Sequence, residues 1–202
     1  KLKLLCGDQG LCQEVSWVYY SVDLNTTDYI RNGNLVVTTG MIIHSEENLK
    51  KFIYEILLRN TAGLFINIGH YLHESGINKE IIDYCNVHNY PLFVFPWEIH
   101  IADIMQDYLN RIVLGQLHEE SLTKAFINLI HRPDQEELYK EEIGNSSFMQ
   151  VTNYCILCFS PHNKQIDPES KERILLQGRN AMNTYNTPYL FFPYFYYYIL
   201  II

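Results

Sequence analysis

Apolar residues in the first half of the chain form two kinds of segment, which follow each other in turn: short continuous runs, and longer stretches with helical spacing. The short runs predict strands, which cover residues 14–21, 35–40, 63–69 and 91–96. Helical spacing follows Ser45, a predicted N-cap, as far as about Arg59, and it recurs over residues 78–88. Because strands and helices alternate, we expect right-handed crossovers and a mainly parallel sheet with flanking helices. The predicted fold class is therefore α/β.

Turn-forming residues separate these elements. Residues 6–10 and 31–34 combine Gly with Asp or Asn, which favour turns, so turns are predicted before the first and second strands. The run 63–69 is almost continuously apolar and ends in Gly, as expected of a strand covered by helices on both faces.

After Pro96 the apolar spacing becomes helical over longer distances. Two stripes, in residues 101–113 and 117–130, predict two helices. Residues 134–143 are short, charged and amphipathic, residues 154–159 and 194–202 predict strands, and residues 168–182 predict a helix. We therefore expect an α/β domain over residues 1–115, a helical linker over 116–148, and a truncated second α/β domain over 149–202. The first stripe suits a signalling or dimerisation helix, with ordinary core packing as the alternative.

Charge and hydropathy narrow the class of protein. The 202 residues are 48% hydrophobic, enough for a normal core, and the formal net charge is −8. This charge argues against a phosphate clamp, so any DNA binding is expected in another segment. A secretion signal is not evident, and the apolar tail 189–202, broken by Pro193, is too short to span a membrane. A cytoplasmic protein is therefore expected. The chain starts without Met and stops inside an apolar run, so we also expect it to be a fragment.

Cysteine usage indicates reduced thiols and no metal site. The five cysteines form an odd set without a regular framework. Cys155 and Cys158 have CxxC spacing with His162 nearby, but no second pair follows, and an extended segment would point their sulfurs to opposite faces. We expect no metal and no cofactor.

Catalytic constellations are weak in this sequence. Asp23, His70 and Glu98 offer acid-base groups, and Cys85 with His88 offers a nucleophile and a base three residues apart on a helix. A buried thiol is the simpler interpretation of Cys85. P-loop, GxGxxG, HExxH and GxSxG motifs are missing from the sequence, so we expect a protein that is not an enzyme.

The carboxyl ends of the predicted strands are the candidate ligand site, because open parallel sheets bind ligands there. The predicted site residues are Ser21, Asp23, Thr38, Thr39, Gly40, Asn67, Gly69, Tyr71, Trp97 and Glu98. The same rule points to His70, although His70 and His73 are also typical of solvated loop histidines. Hydroxyls, one amide and two aromatic rings suit a flat, polar metabolite. The alternative is that Thr38 and Thr39 bond their own backbone and that Trp97 belongs to the core.

Five sequence blocks resemble one known family. They are GDQGL (7–11), VSWVYYSVD (15–23), RNGNLVVTTG (31–40), TAGLFINIGHYL (61–72) and NYPLFVFPWEIHIADI (89–104). In order and spacing they resemble the N-terminal domain of the PucR, or purine catabolism regulator, family over residues 1–115. The family block GG-D/E-L-V-L-T-T-G is the most specific of them, and here Asn32 and Asn34 replace its first Gly and its acidic residue.

The resemblance implies a sensory domain of a bacterial transcription regulator. Such a domain binds a small effector, here a purine or related nitrogen metabolite, and passes its state to distant DNA-binding helices beyond Ile202. Residues from about 120 onward resemble the start of a degenerate GGDEF-like domain, without a GGDEF signature in this chain. A homo-oligomer is expected, and ligand binding would shift the helix beginning near Ile101. A structural dimerisation module built on residues 99–130, which binds no ligand, is the alternative.

Overall fold

The computed structural model describes residues 1–22, 24–41, 45–150, 153–161, 166–185 and 187–202. Asp23 and His162, which the sequence singled out, lie outside the described residues. The chain forms two compact units, Lys1–Ile112 and Val113–Ile202, and each is described by itself.

A five-stranded mixed sheet forms the centre of the first unit. Its strands are β1 Lys3–Cys6, β2 Trp17–Tyr20, β3 Asn34–Thr38, β4 Gly63–Ile68 and β5 Leu92–Pro96, in the spatial order β1-β5-β4-β3-β2. The pairs β2–β3, β3–β4 and β4–β5 are parallel, and the edge strand β1 runs antiparallel to β5. The α/β class is confirmed, with a mixed sheet.

Strand β1 is absent from the predicted elements, because the sequence showed only a turn over residues 6–10. Cys6 ends β1, and Gly7 follows with a φ of 77°. A Cβ on Gly7 would lie 1.9 Å from the carbonyl oxygen of Tyr90, so only glycine allows this close approach. A four-residue edge strand carries too few alternating positions to be recognised by periodicity. The next strand begins at Trp17, later than the predicted residue 14.

Helices cover both faces of this sheet. On one face lie α1, Glu46–Leu58, and α2, Lys79–Val87. As predicted, Ser45 caps α1, because its Oγ accepts a hydrogen bond of 3.2 Å from the backbone N–H of Asn48. Phe52 and Ile81 of these helices share one buried cluster with Leu64 of β4. The other face packs Phe65 and Phe95 against the first turns of α3, which explains why the central strands are apolar throughout.

A single helix, α3, covers Ile101–His131. The prediction of two helices was therefore wrong. The segment between the two apolar stripes contains no proline, and its one glycine, Gly115, lies in open space and costs a helix only about 1 kcal/mol. That cost is too small to end a helix.

The second unit contains a three-stranded antiparallel sheet. Its elements are α4 Lys140–Gly144, β6 Ile156–Phe159, α5 Pro168–Met182, β7 Leu190–Tyr194 and β8 Tyr197–Ile201, with strand order β6-β8-β7. Leu122 and Phe126 of α3 pack against one face of the sheet, and Ile174 of α5 packs against the other. Helix α5 has the predicted bounds.

The predicted final strand, residues 194–202, corresponds to β8, which begins at Tyr197 and forms a hairpin with β7, a strand that the sequence pattern did not predict. Strands β7 and β8 pair through Tyr194 and Tyr197, and Phe195 in the intervening turn has a φ of 52°. The sequence concealed β7 because Pro193 interrupts the apolar run. A proline is tolerated there because β7 is an edge strand.

Candidate functional site

Four parallel strands end at one edge of the first sheet. The pairs Thr38↔Ile66 and Asn67↔Phe95 set the register, so the segments that follow β2, β3, β4 and β5 leave the sheet side by side. The topology therefore brings the described members of the predicted site to this edge. They are Ser21, Thr38, Thr39, Gly40, Asn67, Gly69, Tyr71, Trp97 and Glu98.

Buried polar side chains line the inner part of this edge. Ser21, Thr38, Thr39 and Asn67 are all buried. The side-chain Nδ2 of Asn67 donates to the carbonyl oxygen of Pro96 at 3.0 Å, which ties the end of β4 to the end of β5. Because a buried polar group is costly unless it is hydrogen-bonded, this amide holds the two strand ends in register. The inner edge is thus polar and fixed.

The two threonines bond their own backbone, as the alternative interpretation proposed. The Oγ1 of Thr38 accepts from the N–H of Gly40 at 3.4 Å, and the Oγ1 of Thr39 accepts from the N–H of Met41 at 3.3 Å. These bonds use the hydroxyl oxygens as acceptors, and the hydroxyl protons take no part in them. The threonines therefore have a structural role at the end of β3.

Glycine at position 40 lets two segments of the edge meet. Gly40 has a φ of 74°, and a Cβ there would lie 2.8 Å from the Cβ of Leu72. Leu72 is buried and follows β4 by four residues. A larger residue at position 40 would push the loop after β4 away from the end of β3.

Three aromatic rings form the outer part of the edge, and we call His70, Tyr71 and Trp97 the aromatic corner. The ring centroids of His70 and Trp97 are 4.8 Å apart with an interplanar angle of 29°, a stacked arrangement. Tyr71 meets both rings edge-on, at 4.6 Å from His70 and 5.6 Å from Trp97. Trp97 and Tyr71 are 41% and 47% exposed, so the interpretation of Trp97 as a core residue is wrong. Sequence reasoning found these positions but not the stack.

Of the candidate catalytic groups, His70 and Glu98 lie at this edge, whereas Cys85 with His88 does not. Cys85 is buried on α2, and its hydrogen bond with Cys6, together with burial, raises the pKa of its thiol. A raised pKa keeps the group protonated, which makes it a poor nucleophile. Cys155 and Cys158 are exposed thiols in the second unit. In the part of the chain that the structure describes, no cluster of three or more His, Cys, Asp or Glu side chains is arranged to hold a metal ion.

A short connection links the aromatic corner to α3. Only residues 98–100 separate Trp97 from Ile101, the first residue of the helix. The N–H of Ile99 donates to the carbonyl oxygen of Pro96 at 3.1 Å, which closes a tight turn. Beside it, a surface groove of about 350 Å³ lies along the first turns of α3, lined by residues such as Leu2, Ile99 and Tyr108. Trp97 and the start of α3 are therefore close along the chain.

The described edge offers hydroxyl, amide and aromatic groups on a mixed α/β scaffold, which is a chemistry for recognising a small molecule. None of the described helices combines the length and the apolarity that crossing a membrane requires. The pattern of the purine catabolism regulatory protein-like family, PucR, matches residues 1–112. The chain belongs to this family.

A curated relative supports the assignment. The chain is 29% identical over 111 residues to the purine catabolism regulatory protein of Bacillus subtilis (strain 168). This match covers 54% of the present chain and 20% of the relative, so the chain spans about a fifth of the length of the relative it matches. No solved structure matches the chain.

Proposed function

We propose that this chain is the small-molecule-sensing region of a bacterial transcription regulator of purine or nitrogen-metabolite catabolism, and not an enzyme. One observation carries the proposal. Within the unit that matches the family, the edge where four parallel strands end joins buried polar groups to exposed aromatic rings. The name of the Bacillus relative supports purine catabolism as the regulated process.

The proposed effector is a flat, polar metabolite such as a purine breakdown product. Trp97 and Tyr71 supply aromatic surface for its ring, and Thr38, Thr39 and Asn67 supply hydrogen-bonding groups. The remaining members of the proposed site are Ser21, Asp23, Gly40, Gly69 and Glu98. Gly69 and Glu98 are exposed beside the aromatic rings, whereas Asp23 lies outside the described residues.

Effector binding is proposed to act on α3. A ligand that contacts Trp97 also constrains residues 98–100 and thereby the position of Ile101. It changes the equilibrium between two positions of the helix only by its difference in affinity for them. This difference is the quantity that links binding to regulation.

The rest of the regulator is proposed to lie outside this chain. The net charge of −8 supports placing DNA binding in a different segment of the regulator. We also propose that the regulator acts in the cytoplasm. We keep residues 1–115 as the sensing domain, 116–148 as a helical linker and 149–202 as the start of a GGDEF-like domain. These finer boundaries are proposals that follow the family resemblance.

A thermal-shift screen with purines, ureides and related nitrogen metabolites tests the proposal. The expected result is stabilisation by at least one compound, lost in Thr39→Val and Trp97→Ala. Trp17→Phe is the matched control, because Trp17 begins β2 and so lies at the opposite edge of the sheet. Stabilisation that survives both site substitutions would place binding elsewhere. No stabilisation by any compound would refute the sensing function.

Exposed apolar residues on α3 favour a homo-oligomer. Leu114 is 66% exposed and Leu117 is 57% exposed, three residues apart on one helix face. Such residues are typical of a helix that packs against another helix. If the chain is a dimerisation module, Leu114→Lys will convert a dimer to a monomer in analytical ultracentrifugation. An unchanged sedimentation coefficient would show that this face is not the interface.

A further inference from the structure

We propose that His70 is a placeholder: its imidazole occupies the position on Trp97 where a flat aromatic heterocycle stacks when the ligand binds. The inference rests on the proposed sensing function and deepens it, because it names the ligand class and the residue that competes with the ligand. The juxtaposition of three exposed rings at the strand ends carries it.

The geometry of the aromatic corner is that of an occupied ring site. The imidazole of His70 lies over Trp97 at 4.8 Å and 29°, within the range of offset stacking. Tyr71 stands nearly perpendicular to both rings, at 82° to His70 and 79° to Trp97, and so forms a side wall. The indole of Trp97 and the ring of Tyr71 thus border a space that holds one flat ring, which the imidazole of His70 fills.

The occupying ring can leave without moving the backbone. Gly69 has a φ of 120°, and its N–H donates to the carbonyl oxygen of Leu72 at 2.8 Å. Leu72 is buried, and its Cβ lies beside Gly40, so the loop that carries His70 is anchored at its base. His70 itself is exposed. Rotation about its own side-chain bonds uncovers the indole and leaves the loop in place.

The backbone that carries the indole, in contrast, is anchored. Asn67 holds the carbonyl oxygen of Pro96, directly before Trp97, and a Cβ on Gly69 would lie 3.4 Å from the Cβ of Trp97. The surface of Trp97 on which the ligand would stack is therefore in place before the ligand binds. A preformed surface reduces the ordering cost of binding, and the ligand has to displace only one small ring.

The chemistry of the placeholder points to the ligand class. Imidazole is a planar five-membered ring with two nitrogens, the same ring that forms part of a purine. A fused heterocycle offers a larger π surface than imidazole, together with hydrogen-bonding edges. Such a ring can outcompete His70 on the indole, whereas a puckered, saturated molecule cannot stack there.

The test uses Trp17→Phe as the background, because the chain has two tryptophans and this change leaves Trp97 as the only one. Hypoxanthine, xanthine and uric acid are titrated by calorimetry into this protein and into the same protein carrying His70→Ala, His70→Phe or His73→Ala. His73 is the matched control, an exposed histidine in the same loop. Trp97 emission without ligand reports whether His70→Ala uncovers the indole.

The expected result is that His70→Ala tightens binding about two- to tenfold, the range that one aromatic contact supplies. His70→Phe weakens binding, because a phenyl ring competes more strongly for the indole, and His73→Ala changes nothing. Equal or weaker binding by His70→Ala overturns the inference. If a compound binds in a Thr39-dependent way but is insensitive to position 70, the placeholder fails and the sensing function stands. If neither the Trp17→Phe protein nor any of its variants binds a compound in this experiment or in the broader metabolite screen, the sensing function itself fails.

Discussion

The buried pair Thr61 and Tyr90 offers a sharp test of how the first unit is held together. Both side chains are buried, and their hydroxyl oxygens are 2.8 Å apart. Thr61 Oγ1 donates to the carbonyl oxygen of Ile56 at 3.0 Å, so the proton between the two hydroxyls belongs to Tyr90. Thr61→Val therefore leaves the Tyr90 hydroxyl buried without its acceptor, whereas Tyr90→Phe leaves Thr61 with a satisfied donor.

The magnitudes follow from this asymmetry. Tyr90→Phe is expected to lower the free energy of unfolding by about 0.5–1.5 kcal/mol, the net value of one hydrogen bond. Thr61→Val is expected to cost about 1–3 kcal/mol, because it orphans a buried hydroxyl. In the Thr61→Val background, Tyr90→Phe removes that orphan. The same substitution should then stabilise the protein that it destabilises in the wild type.

Urea unfolding followed by tryptophan fluorescence measures these values. Trp17 and Trp97 both belong to the first unit, so the signal reports the unfolding of that unit alone. The four proteins form a double-mutant cycle. A double variant that is less stable than Thr61→Val would refute the assigned direction of the hydrogen bond.

Two further predictions concern the same unit. Gly40→Ala should lower the melting temperature and cost at least about 1 kcal/mol of stability, because it forces a positive φ on alanine and a contact with Leu72. Gly115→Ala, in open space on α3, should instead be neutral or stabilising. Equal changes in melting temperature for the two substitutions would contradict the argument. Burial raises the pKa of Tyr90 above its unfolded value of about 10, so the contribution of its neutral form is complete below that pH and is lost as the pH rises further. Stability measured between about pH 10 and 11 should fall more steeply in the wild type than in Tyr90→Phe, and parallel curves would rule out Tyr90 as the cause.

Local signals in the sequence were enough for elements that have clear ends. Ser45 caps α1 as predicted, and Asp167 with Pro168 marks the start of α5, where the carboxylate accepts from the N–H of Ser170 at 2.8 Å. The central strand β4 was recognisable because both of its faces are buried. Periodicity and capping act over a few residues, and these elements are determined at that range.

Features that depend on contacts between distant segments were missed. Strand β1 forms by pairing with β5, and Gly7, directly after β1, packs against Tyr90, which lies 83 positions later in the chain. The stack of His70 on Trp97 joins loops that follow different strands, and only the parallel register of β4 and β5 brings them together. Chain topology was thus sufficient to predict that these loops lie together at the strand ends. It could not specify which rings touch, since that depends on side-chain directions in two separate loops.

The energetics of a sensor require more than the aromatic corner. To shift a two-state helix from 1:99 to 99:1, a ligand must bind one state about 10⁴-fold more tightly than the other. A single ring stack supplies at most about tenfold. The remaining discrimination has to come from groups whose geometry differs between the two states, and the turn over residues 98–100 is placed to be one of them, since it joins Trp97 to α3. Asn67 anchors the carbonyl oxygen of Pro96 before that turn, so loss of Asn67 should reduce the coupling between ligand and helix more than it reduces ligand affinity, which paired calorimetry and cysteine crosslinking along α3 would separate.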